Sequence, residues 1–131
     1  MIKLTDDQWG QRTSEDYLIK EVWPLATRKL RLLSKTRNFV MRGRGRKERD
    51  TIQLIVDVPR ADKGDTAPLQ VCVVGCYVYK HDGEYCIFMK SPFFSGTHTD
   101  HSPMTGKSNE DAETIANSLA DMIDDMRKAR R

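Results

Sequence analysis

Ten of the chain's 22 basic residues lie between Arg28 and Arg49, in the run RKLRLLSKTRNFVMRGRGRKER. One acid, Glu48, sits among them, so the run carries +9. The other 109 residues hold 12 bases and 18 acids, or −6, and the net charge of +3 conceals this polarity. A positive field concentrated in this way requires an anionic partner or an acidic surface elsewhere on the same protein. Within the run, Arg42, Arg44 and Arg46 alternate with Gly43 and Gly45. Arginine forks hold phosphate oxygens two at a time, and glycine lets the backbone approach them. Binders of single-stranded RNA and DNA use flexible Arg/Gly stretches of this kind beside a sheet or an aromatic surface. The candidate phosphate contacts are Arg28, Arg31, Lys35, Arg37, Arg42, Arg44, Arg46, Lys47 and Arg49. The chain also contains an acidic alternative, the six acids between Glu110 and Asp125.

Three other stretches carry residues with chemical potential. His98-Thr99-Asp100-His101 is the one metal-like cluster. It resembles part of the HxHxDH run of metallo-β-lactamase-like hydrolases, with Gly96 where their first histidine stands. That family needs a longer chain with distant further ligands, and only His81 remains here, so no metal is assigned. HSPMTGKS resembles the end of a P-loop, since Gly106-Lys107-Ser108 precedes a helix, but His101 occupies the first required glycine. The spacing Gly106-x-Ser108-x-x-x-Ala112-x-x-x-Ala116-x-x-x-Ala120 resembles the second helix of double-stranded RNA-binding domains. That resemblance implies an α–β–β–β–α order. The family's lysines at the helix start correspond here to Asn109, Glu110 and Glu113, side chains that do not attract a phosphate backbone. No Ser/His/Asp set and no activated Cys/His pair can be assembled, so the sequence reads as that of a non-enzyme without a cofactor.

The elements that must position the basic run follow from periodicity. Thr13 and Ser14 offer an N-cap, with Glu15 and Asp16 in a first turn. Tyr17, Leu18, Val22, Leu25, Leu32 and Leu33 then trace a helical stripe interrupted by Pro24. Pro24 either kinks one helix or opens a second. Residues 38–45 read equally as a strand or as a mobile loop. As a strand, they put Phe39 and Met41 on one face and Val40, Arg42 and Arg44 on the other. TIQLIVDV (51–58) alternates as a strand, with Ile52, Leu54, Val56 and Val58 on one face. Residues 69–80 are a central strand, Asp82-Gly83 a type I′ turn, and 84–90 the returning strand. Counting outward from that turn pairs Lys80 with Tyr85, Tyr79 with Cys86, Val78 with Ile87 and Cys76 with Met89, and puts Tyr77, Tyr79 and Phe88 on one face. Residues 91–108 are expected as a long loop. Ser108 or Asn109 caps a final helix whose Ala112, Ile115, Leu119, Met122 and Met126 form an apolar stripe.

The predicted fold is therefore α+β in one domain spanning 1–131. It is an antiparallel three- to four-stranded β-meander flanked by an N-terminal and a C-terminal helix (α-β-β-β-α), with room for an extra strand near 38–45. Cys72, Cys76 and Cys86 are expected as free thiols: Cys76 and Cys86 fall on opposite faces, and Cys72 and Cys76 are roughly 13 Å apart along a strand. With no apolar leader and no membrane span, the expected compartment is cytoplasmic. The expected function is non-enzymatic nucleic-acid binding through the basic run. The alternative is a protein-interaction module, an adaptor, inhibitor or chaperone-like homodimer, that binds an acidic protein surface.

Overall fold

Two main helices cover one side of a five-stranded antiparallel sheet. The computed structural model describes residues 14–48, 51–58, 70–81, 84–91 and 98–129. The expected lead-in at 1–12 with Trp9, the polar loop at 60–68, the Asp82-Gly83 turn, Arg49 and residues 92–97 lie outside the described residues. We label the helices α1 (Ser14–Tyr17), α2 (Trp23–Arg37) and α3 (Ser108–Ala129). The strands are β1 (Val40–Glu48), β2 (Thr51–Val58), β3 (Gln70–His81), β4 (Glu84–Ser91) and β5 (His98–Pro103). They lie in the sheet in chain order.

Between α1 and α2 the chain makes a π-helical turn, Leu18–Val22, and the Trp23 amide donates to the Leu18 carbonyl. Pro24 then occupies the first turn of α2, where its missing N–H costs nothing. Both sequence alternatives are thus merged: the helical path continues, and the wide turn absorbs the proline. Asn38 ends α2 in the left-handed conformation (φ 56°), and the amides of Asn38 and Phe39 both donate to the Ser34 carbonyl.

Strand alternation then sorts the side chains. Ile52, Leu54, Val56, Val58, Val74, Cys76, Ile87 and Met89 are buried beneath the helices. The stripe of α3 buries Ala112, Ile115, Ala116, Leu119, Ala120, Met122 and Ile123 against them. Each of the larger of these side chains contributes about 1.5–3 kcal/mol by leaving water. The α3 stripe thus packs within the chain, on α2 and on strands β3 to β5. Cys76 and Cys86 are free thiols, and the β3–β4 pairing has the register counted from the Asp-Gly turn.

One expectation is corrected. The long loop expected at 91–108 contains β5, which pairs with β4 from Cys86↔Pro103 to Ser91↔His98. HTDHSP has no apolar alternation because β5 is an edge strand. Its Asp100 lies opposite the buried Met89, and its carboxylate accepts from Ser118 Oγ of α3 at 2.8 Å. Of the two readings left open for residues 38–45, the strand is the one found: it is β1, with a two-residue bulge between Arg42 and Arg46. No helix among the described residues is long and apolar enough to cross a bilayer.

Candidate nucleic-acid interface

The bulge in β1 is held by Trp23. Its indole Nε1 donates to the Arg44 carbonyl at 2.6 Å, and its ring lies against the Cα of Gly45. Gly43 and Gly45 both take positive φ (76° and 89°), the region glycine enters without a Cβ penalty. The Arg/Gly run is therefore an anchored structure, in contrast to the loose tip that its glycines suggest. An Arg31 guanidinium N–H reaches the Gly43 carbonyl at 3.4 Å from the facing helix.

Between α2 and this bulge runs a groove of about 750 Å³, lined by Trp23, Pro24, Thr27, Arg28, Arg31, Gly43 and Arg44. Among the described residues its lining has three arginines and no acidic residue. Among the described residues, no carboxylate forms an ion pair with Arg28, Arg31, Lys35 or Arg44. A doubly liganded oxyanion such as a phosphodiester suits this lining, because arginine presents its donors as a planar fork.

The other expected phosphate contacts fall elsewhere. Arg37, at the end of α2, donates to Asp121 (2.6 Å) and Asp124 (3.2 Å) of α3. The hydrogen bond to Asp121 and the two carboxylate charges raise its pKa further, against a smaller desolvation cost. Arg42 leaves the opposite face of β1 and grips Asp57 of β2 with two 2.7 Å bonds. That fork lowers the Asp57 pKa. Arg46 and Lys47 are exposed on β1, and Lys35 is exposed on α2. The structure thus brings Arg28, Arg31 and Arg44 together, commits Arg37 and Arg42 to acids, and sets Lys35, Arg46 and Lys47 outside the groove.

The side of the sheet opposite the helices has its own character. Tyr77, Tyr79 and Phe88 are half-exposed there, with ring centroids 5.1 to 6.1 Å apart. Desolvation raises the Tyr79 pKa, with the neighbouring Cys86 adding to it. Lys90 places its ammonium 5.2 Å from the Tyr77 centroid. Beneath the helices, burial pushes the Cys76 thiol up to about 12, so it is an inert packing residue at neutral pH. Strand alternation sends Asp100 and His101 to opposite faces, which separates the metal-like pair. Among the described residues, no group of three or more potential metal ligands comes together.

Sequence reasoning did not find Trp23, Asp57 or Lys90 as parts of these surfaces. Lys90 was within reach: one more step outward from the Asp-Gly turn pairs it with Gly75, beside Tyr77. Trp23 left no local signal, because its partner lies 21 residues away.

Fold and surfaces together define a small α+β protein with an arginine groove at one sheet edge and a half-buried aromatic cluster on the sheet face away from the helices. No protein-family model, curated protein or solved structure matches the chain.

Proposed function

We propose that this protein is a non-enzymatic nucleic-acid-binding protein that grips the phosphate backbone in the groove between α2 and the β1 bulge. The observation that carries this reading is the convergence of Arg28, Arg31 and Arg44 on one groove, with no ion pair to an acid among the described residues. Three exposed guanidinium groups gathered at one edge leave a positive field that an anion would meet. The reading also gives the Trp23 anchor on the bulge a role, since a backbone held in place loses less freedom on binding.

Fluorescence anisotropy with single- and double-stranded oligonucleotides across a salt series tests it. Binding below ~100 mM salt should weaken steeply as salt rises, because contacts to phosphate release counterions. The combined substitution Arg28→Gln, Arg31→Gln and Arg44→Gln should abolish binding while circular dichroism stays unchanged. Retained affinity in that variant would move the site elsewhere, and absence of binding by the unaltered protein would reject the reading.

One observation favours the protein-interaction alternative. Leu32 is 65% exposed at a shallow cleft of about 330 Å³ between α2 and α3, lined by Lys29, Leu32, Leu33, Thr36, Glu113, Ala116 and Asn117. A protein partner seated there would be lost with Leu32→Asp and insensitive to the arginine substitutions.

A further inference from the structure

We propose that the sheet face away from the helices is a base-stacking platform, so that the ligand of this protein is single-stranded nucleic acid. The inference rests on the nucleic-acid reading above and narrows it. Its basis is independent of the arginine groove.

The geometry follows from the register. On the face away from the helices, one row across the sheet runs Arg46, Gln53, Gly75, Lys90, and the next contains Thr51, Tyr77, Phe88 and His101. Tyr79 and Cys86 form the row beyond. The Tyr77 and Phe88 rings meet at 34° with centroids 5.1 Å apart, and Tyr79 stands edge-on to Phe88 at 80°. A flat ring can therefore lie on one aromatic face while another walls it. Gly75 contributes no side chain between Gln53 and Lys90 in the row beside Tyr77. That glycine is obligatory, since a Cβ there would lie 2.5 Å from the Ile52 carbonyl oxygen. Lys90 lies over the Tyr77 ring at 5.2 Å, so a base that stacks there takes the place of the ammonium, which swings aside to meet its phosphate.

Charge and path select the occupant. From β1 to the Tyr77 row on β3 is two strand spacings, about 10 Å. Arg46 lies on that path, so a strand leaving the arginine groove can round the β1 edge and reach the aromatics. Exposed aromatics beside cations are the sequence-tolerant recognition surface of single-strand binders, because every base has a π-face. A duplex hides those faces in its own stack, and A-form grooves are read by shape and backbone instead. A second copy of this chain fits less well. Lysine is depleted from interface cores, whereas here Lys90 sits over the central ring.

The test compares a labelled pyrimidine single strand of about 15 nucleotides with a duplex of the same length, at about 50 mM salt. The single strand should bind at least about tenfold more tightly. Tyr77→Ala and Phe88→Ala should each lose about tenfold or more for the single strand, with duplex affinity unchanged. Tyr77→Phe and Phe88→Tyr keep a ring and should stay within about twofold, which separates stacking from misfolding. Equal affinity for both ligands, with alanine variants that bind normally, would overturn this inference and leave the groove reading standing. Loss of both ligands only in the arginine variant would have the same meaning. Failure of the unaltered protein to bind either ligand would overturn both. A dimer in sedimentation that Tyr77→Ala or Phe88→Ala dissociates would assign the face to a second copy instead.

Discussion

A methyl group placed on Gly45 would sit 2.6 Å from Cζ2 of Trp23, and the backbone there has φ +89°. Gly43, two residues away, has φ +76° but nothing within 4 Å of the same added carbon. The two glycines of RGRGR thus differ in what a side chain would meet. Gly43→Ala pays only for the left-handed backbone, roughly 1–2 kcal/mol. Gly45→Ala adds a clash with a buried ring and should cost roughly 2–4 kcal/mol. Urea midpoints read this ordering directly if the m-value is unchanged, and equal losses would mean that Trp23 does not pack on the bulge. The alternation of Arg and Gly marked this stretch as unusual in the sequence. What it did not convey is that positive φ was serving a bulge. Glycine has the same signature in a loose loop and in a pinned one, and only the distant indole distinguishes them.

At the level of elements, the buried carboxylate of Asp111 ties the first helical segment to the last. It accepts from Tyr17 Oη of α1 at 2.7 Å, from the Thr105 amide and hydroxyl at 2.9 Å each, and from the Gly106 amide at 3.2 Å. No cation takes part in this set, so hydrogen bonds alone satisfy the charge. Tyr17→Phe removes one donor and should cost about 1–2 kcal/mol, whereas Asp111→Ala strands four donors and should cost about 3 kcal/mol or more. The double variant should fall short of the sum by about 1 kcal/mol in a double-mutant cycle, and strict additivity would show that the contact carries no coupling. The helix start at Ser108 was legible, since polar residues and acids precede an apolar stripe. The tie to Tyr17 was not, because it joins residues 94 apart. Strands β2 to β4 were legible, and the β3–β4 pair down to its register, as apolar alternation and an Asp-Gly turn leave little freedom. Strand β5 escaped because an edge strand that satisfies Asp100 with Ser118 needs no apolar period.

At the scale of the whole molecule, the +9 run of residues 28–49 divides into cations paired within the protein and cations without such a pair. Arg37 joins Asp121 and Asp124, and Arg42 joins Asp57. Arg28, Arg31 and Arg44 have no such ion pair among the described residues and share the groove. A phosphate that approached Arg37 or Arg42 would have to displace a carboxylate already held at 2.6 to 3.2 Å, with little net gain in neutralised charge. The salt dependence of binding should expose this division. Each phosphate neutralised on a single strand contributes about 0.7 to the slope of log affinity against log salt. Arg28→Gln and Arg44→Gln should therefore each flatten the slope by about 0.7, and Arg37→Gln and Arg42→Gln by well under half of that. The latter two should instead lower thermal stability, because each leaves a carboxylate without its guanidinium. If all four substitutions flattened the slope alike, the internal pairs would open on binding, and the acidic helix would compete with the ligand for the basic run instead of stabilising the fold beside it.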